Sequence, residues 1–196
     1  MARQRLGLLG GTFDPPHLGH LAAASEARVA LGLDRVLLMV ANDPWQKSGA
    51  RRVTPAADRL AMAQAACEGV DGVEASALEI ERGGPTYTVD TLKDLASPDV
   101  DLFLIVGVDA AAGLPTWERW TELAALATLV VVERSGEQPP VLGPEWNVVH
   151  LPLTRLDISS GELRSRVVDG RPLWPYVPAG VVAVIDERSL YGSARS

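Results

Sequence analysis

Two histidines three positions apart, His17 and His20, close the run Gly10-Gly11-Thr12-Phe13-Asp14-Pro15-Pro16-His17-Leu18-Gly19-His20. Imidazoles at i and i+3 around a helix start can point the same way and donate N–H bonds to one phosphate group. Donors fixed there in advance would stabilise charge developing on a phosphoryl group. Gly10 and Gly11 let the backbone turn sharply and approach a ligand with no Cβ in the way. A helix starting at Gly19 adds unpaired N–H groups and a positive dipole end, a place where oxyanions bind. The same histidines could instead cap the helix or hold an adventitious metal, although no Cys or third His lies near to complete a zinc set.

The elements around this run must position it. Leu6–Leu9 reads as a short buried strand and residues 21–31 as a helix of strong helix formers. The spacing fits neither G-x-x-x-x-G-K-[ST] nor G-x-G-x-x-G, which excludes a P-loop ATPase and a dinucleotide-binding dehydrogenase. Further unalternating apolar runs at Val36–Val40, Leu102–Val106 and Leu129–Val132 have the character of strands buried on both faces, with weaker candidates at Val73–Ile80 and Val148–Leu151. Helices are predicted from Thr54 as N-cap, with Pro55 at the first helical position, to about Glu68, and over Thr88–Ala96, Thr116–Leu126 and Ser160–Val168. The alternation predicts an α/β fold, a Rossmann-like parallel sheet with helices on both faces. In such sheets ligands bind beyond the carboxyl ends of the strands, so loops 10–20, 41–54, 107–117 and 157–161 should converge on one crevice. Ser135–Glu145 reads as a surface loop, and residues 1–196 as one domain with a small helical portion from about residue 157.

Composition narrows the class. A chain of 196 residues can bury a substantial apolar interior. Its net charge is −7, and its basic residues are scattered except around Lys47, Arg51 and Arg52, so no stripe suits a nucleic-acid backbone. Cys67 is the single cysteine, so no internal disulfide can form and a reducing compartment is natural; in a predicted helix it reads as packing. No signal-peptide core or membrane-length apolar run is present. These features predict a cytoplasmic enzyme that handles small anions and uses neither nucleic acid nor membrane, with homo-oligomerisation left open.

Three further constellations suit a nucleotide. Asn42-Asp43-Pro44-Trp45-Gln46-Lys47 follows a strand and ends in a compact charge suited to a β- or γ-phosphate, or in a solvated loop lysine. Gly107-Val108-Asp109 ends a buried strand with a carboxylate that can accept from ribose hydroxyls or cap a helix. Asp157-Ile158-Ser159-Ser160-Gly161-Glu162-Leu163-Arg164 reads as a serine-capped helix start with an arginine one turn in, a phosphate-binding arrangement or plain capping. In Thr116-Trp117-Glu118-Arg119-Trp120 two indoles stand at i and i+3, in a chain with five tryptophans but only three tyrosines and two phenylalanines. Such a pair is more often core than site.

The string G-G-T-F-D-P-P-H-L-G-H-L resembles the signature of nicotinate-mononucleotide adenylyltransferases, within the nucleotidyltransferase superfamily that shares an HIGH-type motif. Class I aminoacyl-tRNA synthetases share that motif but need tRNA-binding domains for which this chain has no room. Further similarity runs through Asp58-Arg59-Leu60-Ala61-Met62 and Val177-Pro178…Ser189-Leu190-Tyr191.

The resemblance implies a nucleotidyltransferase-type fold and adenylyl transfer from ATP, with Mg²⁺, to nicotinate mononucleotide in NAD biosynthesis. It implies that His20 stabilises the α-phosphate transition state with help from His17, while Lys47 and Arg164 hold the leaving pyrophosphate. ATP would lie on Gly10, Gly11, Thr12, Phe13 and His20, on Gly107 and Asp109, and on Ile158, Ser159 and Arg164. Trp117 would stack on the pyridine ring. Backbone N–H groups around Thr86 and Tyr87, the Thr86 hydroxyl and the N–H of Glu118 would hold the nicotinate carboxylate, with Trp120 left in the core. Donor-only recognition favours an ionised carboxylate over a carboxamide, whose NH₂ would face N–H groups. No protein metal ligand is implied. The chain departs from the family at Gln46, where P-P-H-K has histidine, and at Gly161, where I-S-S-T-x-I-R has threonine. Rival readings are adenylyl transfer to phosphopantetheine or a flavin phosphate, and an ATP-binding module without turnover.

Overall fold

Every apolar run singled out above contributes to one sheet. The structure, a computed structural model, describes residues 3–44, 53–134, 139–154 and 156–192. Strands β1 (Gln4–Gly11), β2 (Arg35–Val40), β3 (Val73–Ser76), β4 (Val100–Gly107), β5 (Thr128–Arg134) and β6 (Val148–Leu153) lie in the order β3-β2-β1-β4-β5-β6. All pairings are parallel. Helices α1 (Leu18–Leu31), α2 (Ala56–Cys67), α3 (Leu78–Arg82), α4 (Thr88–Leu95), α5 (Val108–Ala112), α6 (Trp120–Leu126), α7 (Ser160–Val168) and α8 (Ala179–Glu187) fill the connections and the C-terminal region. The order reverses between β1 and β4, and there the loops after the two strands part to leave a crevice.

Neighbouring residues along each strand serve opposite faces. Leu9, Leu38 and Ile105 pack with Met62 of α2, Leu163 of α7 and Ile185 of α8. Leu8, Leu37 and Leu104 pack on the other face with Leu92 of α4 and Leu123 of α6. Burial on both faces is why these runs do not alternate, and each fully buried Leu or Ile contributes about 1.5–3 kcal/mol.

Four local expectations are corrected. His17 is the extended N-cap of α1 (φ −149°, ψ 171°), so the helix begins at Leu18, one residue before the expected Gly19. Pro55 is itself the N-cap of α2, with ψ 143° and no side-chain cap, and Thr54 stands outside the helix with its N–H on Asp14. Strand β3 stops at Ser76, paired with Met39 of β2, where the Leu78 N–H turns back to Ser76 Oγ at 3.3 Å and α3 follows. The segment expected as one helix over Thr116–Leu126 is a 3-10 turn at Leu114–Thr116, an extended Trp117 and a left-handed Arg119 (φ 47°) before α6.

Candidate active site

Gly10, next to last in β1, and Gly107, which ends β4, flank the switch point. A Cβ at either would meet no protein atom within 4 Å, so the space above them belongs to the crevice. That crevice encloses about 810 Å³, towards the upper end of the roughly 300–1,000 Å³ of small-molecule sites.

One end is the loop after β1. The rings of His17 and His20 stack with centroids 3.7 Å apart and planes at 28°. His20 Nδ1 accepts the His17 backbone N–H at 3.1 Å. An acceptor at Nδ1 leaves the proton of the neutral ring on Nε2, so His20 presents a donor. His17 is 6% exposed, and a Cβ on Gly19 would sit 3.1 Å from its Cε1 and Nδ1. Gly19 is therefore needed for the histidine ring that packs over it. Both histidines line the crevice with Gly10, Gly11 and Thr12. Phe13 does not: its ring is 2% exposed and lies under Gly11, with its edge against His20 at 5.0 Å, so its side chain supports the loop rather than facing a nucleotide.

Beside it, Ser159 caps α7 by accepting the Glu162 N–H at 3.2 Å. Arg164, one turn in, donates Nη1 to Asp14 O at 2.7 Å while lining the crevice, and Ser160 Oγ donates to Pro15 O at 2.8 Å. The helix start is thus sewn to the β1 loop. Ile158, Leu156, Leu153 and Val132 form an apolar flank, and Gly107 and exposed Asp109 stand at the start of α5.

The far end is built from two loops joined across 44 positions of sequence. Asn42 N–H donates to Thr86 Oγ1 at 2.9 Å, and Thr86 N–H donates to Asp43 O at 3.2 Å. Gly83 (φ 72°) and Gly84 (φ 70°) make the left-handed turn that brings the loop there. The amide and hydroxyl of Thr86 are therefore engaged inside the protein, which corrects the expectation that they supply the donors to a bound carboxylate. Thr88 on the crevice wall opens α4; the Asp90 N–H bonds Tyr87 O at 3.1 Å, and the N–H groups before it lie ahead of the first intrahelical bond. Trp117, Glu118 and Tyr87 line the same end. The Trp117 segment is strapped to α4 by ion pairs between Arg119 and Asp90 and between Lys93 and Glu122. Trp120 is only half-buried, with its ring stacked on Trp146 at 6.2 Å against the second core.

Glu79 escaped the sequence reading. It is 5% exposed, accepts the Thr91 hydroxyl at 2.6 Å, hydrogen-bonds Thr86 and lines the crevice. Burial raises its carboxyl above the usual range, opposed by the hydroxyl bonds and Arg82. Arg59 also went unassigned. It is 1% exposed and donates to the carbonyls of Thr12, Asn42 and Thr54 at 2.8–3.0 Å, tying three loops together. Residues at such separations carry no local sequence signal. Lys47 and Gln46 lie outside the described residues. Cys67 ends α2 half-buried, its thiol pushed up to about 11, first by burial and then by Glu74. No helix among the described residues is long and apolar enough to cross a membrane.

Comparison with known proteins gives a consistent result. A family model described as cytidylyltransferase-like matches residues 8–166. A probable nicotinate-nucleotide adenylyltransferase of Corynebacterium kroppenstedtii is 46% identical over 192 residues, covering 95% of this chain and 90% of its own. A protein of the same description from Streptomyces coelicolor is 46% identical over 186 residues, covering 93% and 98%. In fold, the chain is similar to Plasmodium falciparum nicotinic acid mononucleotide adenylyltransferase complexed with NaAD, with a TM-score of 0.78 over 96% of this chain and 98% of that one at 16% identity.

Proposed function

The chain belongs to the nicotinate-nucleotide adenylyltransferase family, within the cytidylyltransferase-like group, and from that premise we propose that it transfers the adenylyl group of ATP to nicotinate mononucleotide. The products are nicotinate adenine dinucleotide and pyrophosphate, a step in NAD biosynthesis. The observation that carries the reading is the crevice itself: its walls run from the His17–His20 pair to Trp117 and the start of α4.

A phosphate oxygen of the mononucleotide attacks the α-phosphorus of ATP in line, a new P–O bond forms, and the bond to the β-phosphate oxygen breaks. The attacking phosphate is anionic at neutral pH, so no protein nucleophile is required and positioning with charge stabilisation carries the step. The Nε2–H of His20 meets charge growing on the α-phosphate, and His17 assists from the stacked ring. Arg164 and Lys47 hold the leaving pyrophosphate. Gly10, Gly11, Thr12, Gly107, Asp109, Ile158 and Ser159 hold the rest of ATP. Trp117 stacks on the pyridine, and its carboxylate takes N–H bonds from the start of α4 and from Glu118.

Among the described residues no three His, Cys, Asp or Glu side chains converge on one point, and the Asp14 carboxylate is engaged by Tyr191 and Thr54. A divalent ion, which we take to be Mg²⁺, would arrive on the triphosphate and keep most of its water, drawing few ligands from the protein. It neutralises phosphate charge when bound.

The test is pyrophosphate release from ATP with nicotinate mononucleotide, its amide, phosphopantetheine and a flavin phosphate as acceptors. Release fastest with nicotinate mononucleotide is expected. Faster release with phosphopantetheine or flavin phosphate would move the acceptor, and ATP binding without release would make the chain a binding module.

A further inference from the structure

Asp14 places a carboxylate inside the loop that carries the histidines, yet it is 1% exposed and is not among the residues that line the crevice. A charge so placed persists only with strong partners. The Tyr191 hydroxyl donates to Oδ1 at 2.7 Å, from 177 positions along the chain, and the Thr54 N–H donates to Oδ2 at 3.4 Å. The carbonyls on either side are claimed as well: Thr12 O by Arg59, Asp14 O by Arg164, Pro15 O by Ser160. Donors from α2, α7 and the C-terminal turn thus converge on four residues, and His17 follows two positions later.

The C-terminal turn takes an unfavourable backbone to make its bond. Tyr191 is left-handed (φ 62°, ψ 17°) and Ser189 has φ 49°, a region that non-glycine residues enter rarely. Such strain persists where the surroundings over-determine it. Phe13, beside Asp14, is also left-handed (φ 50°), so the loop itself would relax once an anchor is lost. Burial, and next the Asp14 charge, push the Tyr191 hydroxyl far up, which keeps it a donor.

We propose that Tyr191 is a positioning residue for adenylyl transfer: through the Asp14 carboxylate it holds Thr12–Pro15 in the shape that presents His17 and His20 to the α-phosphate. The proposal rests on the adenylyltransferase reading above.

The test compares Tyr191→Phe, Asp14→Asn and the double variant with the native chain. The phenylalanine keeps the ring where the hydroxyl now lies 3.6 Å from Met62 Sδ, so folding should survive, as melting curves will show. Turnover at saturation should fall about tenfold in Tyr191→Phe with the KM for nicotinate mononucleotide unchanged, because a small displacement of reacting groups acts on the chemical step. The double variant should be no slower than Asp14→Asn alone, since both substitutions cut one path. Native turnover in Tyr191→Phe, losses that multiply in the double variant, or loss of cooperative melting would each overturn the proposal. Should the native chain release no pyrophosphate with nicotinate mononucleotide, the function reading fails separately. Calorimetric affinity for a non-hydrolysable ATP analogue then decides: about threefold weaker binding in Tyr191→Phe supports the role, and equal affinity overturns it.

Discussion

His20 Nδ1 accepts the backbone N–H of His17 at 3.1 Å, so the residue that caps the helix start is also the one whose ring the helix start fixes. The bond sets the tautomer of the neutral ring, with the proton on Nε2, and His20 lines the crevice. His20→Ala removes both functions. Loss of one preorganised donor to a transition-state oxyanion costs about 10²–10³ in turnover. The lost acceptor for the His17 N–H costs only about 1 kcal/mol, a drop of roughly 2–4 °C in melting temperature for a chain of this size. Pyrophosphate release with a melting curve checks both, and near-normal turnover would remove His20 from the reaction.

Gly19→Ala should separate stability from activity in the opposite sense. Alanine is the better helix former by about 1 kcal/mol, yet its Cβ would stand 3.1 Å from the His17 ring. The ring must give way by a few tenths of an ångström, and His20 stacks on it. An unchanged or raised melting temperature with turnover reduced about tenfold is expected. A variant as active as the native chain would show that the His17 position is not critical.

The sheet was legible in the sequence because burial on both faces leaves unbroken apolar runs, and the crevice because the loops after β1, β2, β4 and β6 sit at the carboxyl ends of parallel strands. The residues proposed for the nucleotide side belong to short motifs whose chemistry is local, such as His17-x-x-His20 and the serine-capped α7, and both of these line one crevice. The break at Trp117–Arg119 was not legible, since the residues there are tolerable in a helix, and the contacts that accompany the kink, the ion pairs of Arg119 with Asp90 and of Glu122 with Lys93, come from α4. Tyr191 reaches Asp14 across 177 positions and Arg59 reaches Thr12 across 47, and Glu79 meets Thr91 from another helix, so the roles of these residues come from contacts that no single motif contains. Thr86 was found, but the hydrogen bonds that engage it come from Asn42 and Asp43, which the motif does not contain.

Trp117→Ala should act on acceptor binding. A ring stacked on an aromatic side chain is worth about 1–3 kcal/mol, so the KM for nicotinate mononucleotide should rise by at least about fivefold while the KM for ATP holds within about twofold. Initial rates with each substrate varied in turn give both constants. An unchanged acceptor KM would take Trp117 out of the site.

Arg119 offers a paired test of the strap that carries Trp117. Its left-handed backbone (φ 47°) strains any residue but glycine, while its guanidinium bonds Asp90 on α4. Arg119→Ala loses the ion pair and keeps the strain; Arg119→Gly loses the ion pair and relieves it. Both should raise the acceptor KM, and the glycine variant should melt at the higher temperature. Because the pair is exposed, added salt should narrow the gap between native and variant KM values. Equal KM values in all three proteins would leave the strap without a role in acceptor binding.

Glu79 gives a pH dependence with a definite sign. Its carboxyl is raised from the usual 4.5 chiefly by burial, so the folded chain holds that proton more tightly than the unfolded one. The stability it contributes is full below the unfolded value and is lost as pH rises through the folded one. Glu79→Gln keeps an acceptor for the Thr91 hydroxyl and cannot ionise. Relative to this variant, the native chain should lose melting temperature as pH is raised above the ordinary carboxylate range. Because Glu79 also hydrogen-bonds Thr86, ionisation should strengthen that bond while the burial penalty grows, and the penalty is the larger of the two. Parallel melting profiles for the two proteins above that range would mean that Glu79 does not titrate there.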